Sequence, residues 1–264
     1  MMYYSRFVLL PCAEDSSRLG RLDYASLSQQ TLMEMIIDGL TNKEAICGSK
    51  EDPKDIASWP GLLFNDENEV IQINWEDMKL NGSVALQWIP PTVKWVWIIE
   101  NPIAGTADIS SLPLSLEWLS LSENAFEGSL DLRTLPKALE RLLVPKNKFS
   151  GSLHLEALPE TLKLLYLDEN FFSGSVCLKN LPKSMEKLFL SENRLCGTLD
   201  VTRLPSGMKA LLVDGNSFSG STDFSRLPTS LETLFVNGNS ELSGNISSTY
   251  RLSVCIEGSQ VTVS

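Results

Sequence analysis

Residues 139–158 read LERLLVPKNKFSGSLHLEAL and are followed by Pro159. Leu139, Leu142 and Val144 stand eight, five and three places before Asn147. Leu142 and Val144 alternate with outward residues, the pattern of a short strand with one buried face. Asn147 ends that strand and turns inward, where a buried amide has to find hydrogen-bond partners. Phe149 follows two places later, and Gly151, four places on, permits a bend that a side chain would crowd. Leu153 and Leu155, separated by an outward residue, predict a second short strand. Leu158-Pro159 closes the unit, because proline cannot donate to a ladder and fixes its own turn.

Outward from this stretch the same reading recurs. Asparagines stand at 101, 124, 147, 170, 193, 216 and 239, each 23 residues from the last. Gly105, Gly128, Gly151, Gly174, Gly197 and Gly220 follow their asparagines by four, and Gly244 is displaced by a one-residue insertion. Prolines at 90, 113, 136, 159, 182, 205 and 228 hold the same period. One such unit cannot bury its own apolar face, whereas stacked units bury a continuous one. Asn101, Asn124, Asn147, Asn170, Asn193, Asn216 and Asn239 should then form a ladder onto adjacent turns. Phe126, Phe149, Phe172 and Phe218, with Ile103 and Leu195 in the same column, should form a spine. The first repeat is degenerate: Met78 takes the asparagine position, while Gly82 keeps the register.

Solenoid repeats are therefore expected over 70–248. Residues 1–69 are read as an N-terminal cap region. Its helix lies around 28–40, where Leu32, Met33, Ile36, Ile37 and Leu40 recur at helical spacing. Before Arg21 no pattern is assignable. Residues 249–264 are read as a C-terminal cap or tail, with Val254, Ile256, Val261 and Val263 forming a closing strand or hairpin.

These residues resemble the leucine-rich-repeat family, whose signature LxxLxLxxN they carry. The following FSGSLxL is similar to the plant-type subclass, found in receptor ectodomains and enzyme-inhibitor proteins. The phrase LPxSLxxLxLxxN also resembles bacterial effector repeats and repeat proteins of unicellular eukaryotes. Trp59-Pro-Gly61 after the helix resembles the plant-type N-terminal cap. The resemblance implies an α/β-type repeat solenoid, mostly β, a curved right-handed coil of about eight 23-residue repeats. It also implies a parallel sheet on the concave side, second short strands after the asparagine turn, and a helical cap that shields the open core. The period of 23 departs from the plant value of about 24.

The chain has 264 residues, 43% of them apolar, and a net charge of -11. Phosphate binding needs clustered lysine and arginine, so this balance excludes a nucleic-acid partner. It suits a partner with a basic surface. No run of about 18 apolar residues exists, so no membrane insertion is expected. Phe7–Leu10 is too short for a signal-peptide core, and with five irregularly spaced cysteines this predicts an intracellular, cytoplasmic protein. Cys177 and Cys196 are expected to be small buried residues, and whether Cys12 and Cys47 pair in an oxidising compartment is not shown by their spacing. Asn81-Gly-Ser and Asn245-Ile-Ser match the glycosylation pattern, which matters only for an exported chain.

His154 is the single histidine, between two core leucines and outward-facing. No Ser-His-Asp or Cys-His set can be built from it, and no zinc spacing or phosphate loop appears. The expectation is a non-enzyme with no catalytic residue, metal or cofactor. The acids at Glu117 and Glu140 read as solvated columns. The outward strand positions are more informative. Four before each asparagine stand Trp97, Ser120, Leu143, Tyr166, Phe189, Leu212 and Phe235. Six before stand Trp95, Trp118, Arg141, Leu164 and Lys187. Glu100, Glu123, Lys146, Glu169 and Glu192, one before, make a mostly acidic rim. The predicted site is an apolar, exposed stripe on the concave face, formed by Trp95, Trp97, Trp118, Leu143, Tyr166, Phe189, Leu212 and Phe235. It would bind another protein. Simple cross-strand stacking competes with that reading. Alternatives for the whole chain are a structural subunit of a larger assembly, or a secreted recognition protein of the plant receptor and inhibitor type.

Overall fold

A computed structural model describes residues 27–249 and 252–264. Cys12 and everything else before Leu27 lie outside the described residues. The chain begins with helix α1, Gln29–Ile37, whose N-cap Ser28 accepts from the Thr31 amide. Leu32, Met33, Ile36 and Ile37 form its buried face, and the short helix α2, Glu44–Cys47, adds Ile46 and Cys47. Trp59 is buried beneath them, and its indole N–H donates to the Lys54 carbonyl. A capped amphipathic helix therefore covers the first coil.

Beyond it the chain winds through two sheets. The ten-stranded sheet runs Leu62–Phe64, Val70–Asn74, Trp95–Trp97, Trp118–Ser120, Arg141–Leu143, Leu164–Tyr166, Lys187–Phe189, Ala210–Leu212, Thr233–Phe235 and Ser253–Cys255. Its first pair is antiparallel and the remainder are parallel. The eight-stranded sheet takes Ala104–Thr106, Ala125–Gly128, Lys148–Gly151, Phe171–Gly174, Arg194–Gly197, Ser217–Thr222, Glu241–Ile246 and Gln260–Val263. The architecture is a mostly-β leucine-rich-repeat solenoid.

The second strands sit immediately after the asparagine, not at the Leu-x-Leu piece where the pattern placed them. At Leu132–Thr134 and Leu155–Ala157 that piece enters a 3-10 turn. The leucines point inward all the same, because a 3-10 turn can bury its first residue while the chain reverses. Residues 252–264 place Ser253–Cys255 in one sheet and Gln260–Val263 in the other, so they add a further coil and not a hairpin.

Each coil is closed the same way. The amide three residues after the proline donates to the proline carbonyl, as Leu139 does to Pro136 and Leu162 to Pro159, both at 3.0 Å. The spine is continuous: Phe126, Phe149 and Phe172 are fully buried and stack with centroids 6.2 and 6.3 Å apart. The inserted residue after Asn239 is absorbed before Leu242, which pairs with Gly220 and fills the spine position.

The asparagines hold coil to coil. Asn170 Nδ2 donates to the carbonyls of Val144, Leu167 and Asp168 at 3.0–3.2 Å, and its Oδ1 accepts the Phe149 amide at 3.0 Å. Asn101, Asn147, Asn193, Asn216 and Asn239 likewise bond to the preceding coil. Asn124 donates in the same way, but its Oδ1 has no partner.

Two features lay outside the sequence reading. The residue before each asparagine is left-handed: Glu100, Glu123, Lys146, Glu169 and Glu192 have φ of 52–56°. The hydroxyl two after the proline forms a ladder of its own, with Thr161 Oγ1 donating to Lys137 and Leu139 carbonyls at 2.7 and 2.8 Å.

Candidate functional site

The outer face of the ten-stranded sheet presents the columns singled out above. Register pairs Trp97 with Ser120, Ser120 with Leu143, Leu143 with Tyr166, Tyr166 with Phe189, Phe189 with Leu212, and Leu212 with Phe235. One unbroken row therefore crosses seven strands, each about 4.8 Å from the next. Trp95 pairs with Trp118 in the neighbouring row.

The row is not exposed as expected. Trp95, Trp97, Trp118, Leu143, Tyr166, Phe189, Leu212 and Phe235 are half-buried, and Ser120 is buried. The reason is mutual cover. Tyr166 and Phe189 stack with centroids 4.1 Å apart and planes within 8°. Trp97 meets Trp118 edge to face at 5.0 Å. Arg141 lays its guanidinium 4.5 Å over the Trp118 ring. Such contacts orient the rings in advance and reduce the entropy a ligand has to remove.

Polar groups flank the row unevenly. Asp168 lies close to Tyr166, and its Oδ1 is buried without a partner. Burial, with smaller contributions from the nearby Glu169 and Asp214 charges, raises its pKa to about 6. Ser191 donates to Asp214 in the same column. Burial also raises Tyr166, with Asp168 adding to the effect. Glu117 and Glu140, expected as solvated columns, are ion-paired to Lys94 and Lys163 at 3.2 and 2.9 Å. With Gln72 and Arg141 they surround a concavity of about 400 Å³ at the three tryptophans. Sequence reasoning missed this concavity, because its members belong to columns that were read one at a time.

The cysteine expectations need correction. Cys196 is exposed and Cys177 half-buried. Cys196 takes the outward place in Arg194–Gly197, while Leu195 takes the inward one. Cys47 is a buried free thiol donating to the Ser49 carbonyl. His154 is exposed, as read. Among the described residues no helix is long and apolar enough to cross a membrane.

No family model and no curated protein matches the chain. Solved structures do. A plant ice-binding protein superposes with a TM-score of 0.60 at 23% identity, over 88% of this chain and 86% of that one. The Arabidopsis receptor kinase HAESA, in complex with the peptide hormone IDA and the co-receptor SERK1, gives 0.58 at 19% identity, over 88% of this chain and 50% of that one. The PEPR1-AtPEP1 structure gives 0.51 at 19%, over 89% of this chain and 42% of that one. The chain thus spans half or less of the two receptor chains. At these identities the likeness shows the fold.

Proposed function

We propose that the chain is a non-catalytic interaction module that binds a protein or peptide on the outer face of its ten-stranded sheet. The contact residues are Trp95, Trp97, Trp118, Leu143, Tyr166, Phe189, Leu212 and Phe235. The observation that carries the reading is the half-exposed apolar row, interrupted by buried Ser120, with its preorganised Tyr166–Phe189 stack. Aromatic and arginine side chains in such a setting supply most of the energy of protein interfaces. Acids at Glu100, Glu123, Glu169 and Glu192 border the row, which favours basic residues around the partner's apolar anchor. That HAESA and PEPR1 solenoids are solved with partners supports the same use of this fold.

The test is affinity capture from the native cell, wild type beside Tyr166→Ser with Phe189→Ser. The reading expects a protein held by the first and lost by the second, with both folded by circular dichroism. Loss of two anchors should weaken binding by at least about 30-fold. An identical catch from both proteins would make the row a purely structural feature.

A second reading rests on the eight-stranded sheet. Thr106, Ser129, Ser152, Ser175, Thr198 and Ser221 form an exposed hydroxyl column flanking the glycines. Their hydroxyls make no protein hydrogen bond among the described residues, and a regular array of free hydroxyls suits an ordered water surface. The ice-binding neighbour supports the comparison. A thermal-hysteresis measurement decides it: freezing at the melting point, with no growth gap, removes this reading.

A further inference from the structure

The tryptophan end of the outer face differs from the rest of the row in its chemistry. Gln72, Trp95, Trp118 and Arg141 stand in register on four adjacent strands. They form a platform about 14 Å long, at about 4.8 Å per strand. Trp97 walls one side through its edge contact with Trp118. Glu117 and Glu140 line the same concavity of about 400 Å³. The Trp118 Nε1 is buried and has no hydrogen-bond partner. A buried donor left in that state costs about 1–3 kcal/mol unless a ligand supplies an acceptor.

The charges narrow what that ligand is. Glu117 and Glu140 are each matched by a lysine, at 3.2 and 2.9 Å. Arg141 has no acidic partner among the described residues and lies flat on Trp118. A cationic ligand would find the indole face already occupied by a guanidinium. An anionic ligand would meet two carboxylates beside Arg141, on a protein of net charge -11. The remaining match is a neutral molecule with an apolar face and a rim of groups that both donate and accept.

We propose that this concavity is a saccharide site that seats one or two neutral pyranose rings. The axial C–H face of a ring packs on Trp95. Its hydroxyls accept from Arg141 and Gln72 and donate to Glu117 and Glu140, and a small rotation of the Trp118 ring opens its buried Nε1 to one of them. A pyranose is about 5 Å across, one strand spacing, so two linked rings, about 10 Å, fit within the platform. The site shares Trp95, Trp97 and Trp118 with the proposed partner-binding row, but the inference rests on the concavity and its polar rim and not on the Tyr166–Phe189 stack.

Three of the six tryptophans lie in the concavity, so intrinsic fluorescence reports on it. The full chain is titrated with cellobiose, maltose, lactose and N,N′-diacetylchitobiose, and with a capped asparagine–glutamine dipeptide. Saturation-transfer NMR identifies which ligand protons touch the protein. At least one disaccharide should bind saturably, with saturation concentrated on one ring face. Trp118→Phe keeps an aromatic ring but removes the donor, and should weaken binding about tenfold. Trp95→Ala should abolish it, and Tyr166→Ser should leave it unchanged. Melting curves check that the variants fold, and Gln72→Ala substitutes if Trp95→Ala does not. The proposal is overturned if no disaccharide binds, if only the dipeptide binds, or if Trp118→Phe binds sugar as the wild type does.

Discussion

Replacing Asn170 by alanine tests what holds one coil to the next. Asn170 donates to three carbonyls and accepts one amide. The three carbonyls would not be stranded. Val144 O also receives Asn147 Nδ2 at 3.2 Å, Leu167 O receives Asn193 Nδ2 at 3.0 Å, and Asp168 O receives the Lys146 amide at 3.1 Å. The Phe149 amide, by contrast, would be left in the core with no acceptor. An orphaned buried donor costs about 1–3 kcal/mol, and the weakened carbonyl bonds add about 1, so Asn170→Ala should cost about 3 kcal/mol. Asn124 is the internal control. Its Nδ2 donates to Ile98, Leu121 and Ser122 at 2.7–3.1 Å, but its Oδ1 accepts nothing, so truncation strands no amide. Asn124→Ala should cost only about 1 kcal/mol. Urea unfolding followed by circular dichroism measures both, with unchanged m-values as the condition for comparing midpoints. Hydrogen exchange should show the Phe149 amide losing protection in Asn170→Ala alone. Equal losses at the two sites would refute the assignment of the energy to the stranded amide.

Glu192 has φ of 53°, so Glu192→Val should cost about 1–2 kcal/mol, while Glu192→Gly should cost nothing; thermal melts compare them. Asp168, raised from 3.8 to about 6 by burial, binds its proton more tightly folded than unfolded. Its contribution therefore falls as pH rises from about 4 to 6 and stays low above that. Asp168→Asn should raise the melting temperature at pH 7, and the gain should vanish near pH 4; a pH-independent gain would point to another cause. A thiol reagent should modify exposed Cys196 rapidly and buried Cys47 only on unfolding, which mass spectrometry can follow.

The solenoid was legible because its constraints repeat. A 23-residue spacing of asparagine, glycine and proline leaves few alternatives, and the spine phenylalanines announce themselves as one column. What escaped were features whose residue identity does not advertise the geometry. Glutamate and lysine occupy a left-handed position because the turn demands it, and only Gly215 and Gly238 in the later repeats hint at this. The shift of the second strand toward the asparagine escaped because Phe-Ser-Gly-Ser has little strand character by composition. The candidate site was legible as a row but not in its exposure. Whether Trp97 and Trp118 stand free or cover each other is decided by side-chain rotation, which periodicity does not encode. The concavity required Gln72, Trp95, Glu140 and Arg141 to be seen together, from three different repeats.

The coil-to-coil hydrogen bonding also shapes how the molecule would yield to force. Each asparagine bonds to its own turn and to the coil before it, and no ladder bond skips a neighbour. A chain pulled from its two ends should therefore peel away one coil at a time and not rupture at once. Each event within the regular repeats would release 23 residues, about 78 Å of contour length at about 3.4 Å per residue, and the C-terminal coil somewhat fewer. An optical trap would record a staircase of even steps across the regular repeats, with the helix-covered N-terminal coil as the last to give way.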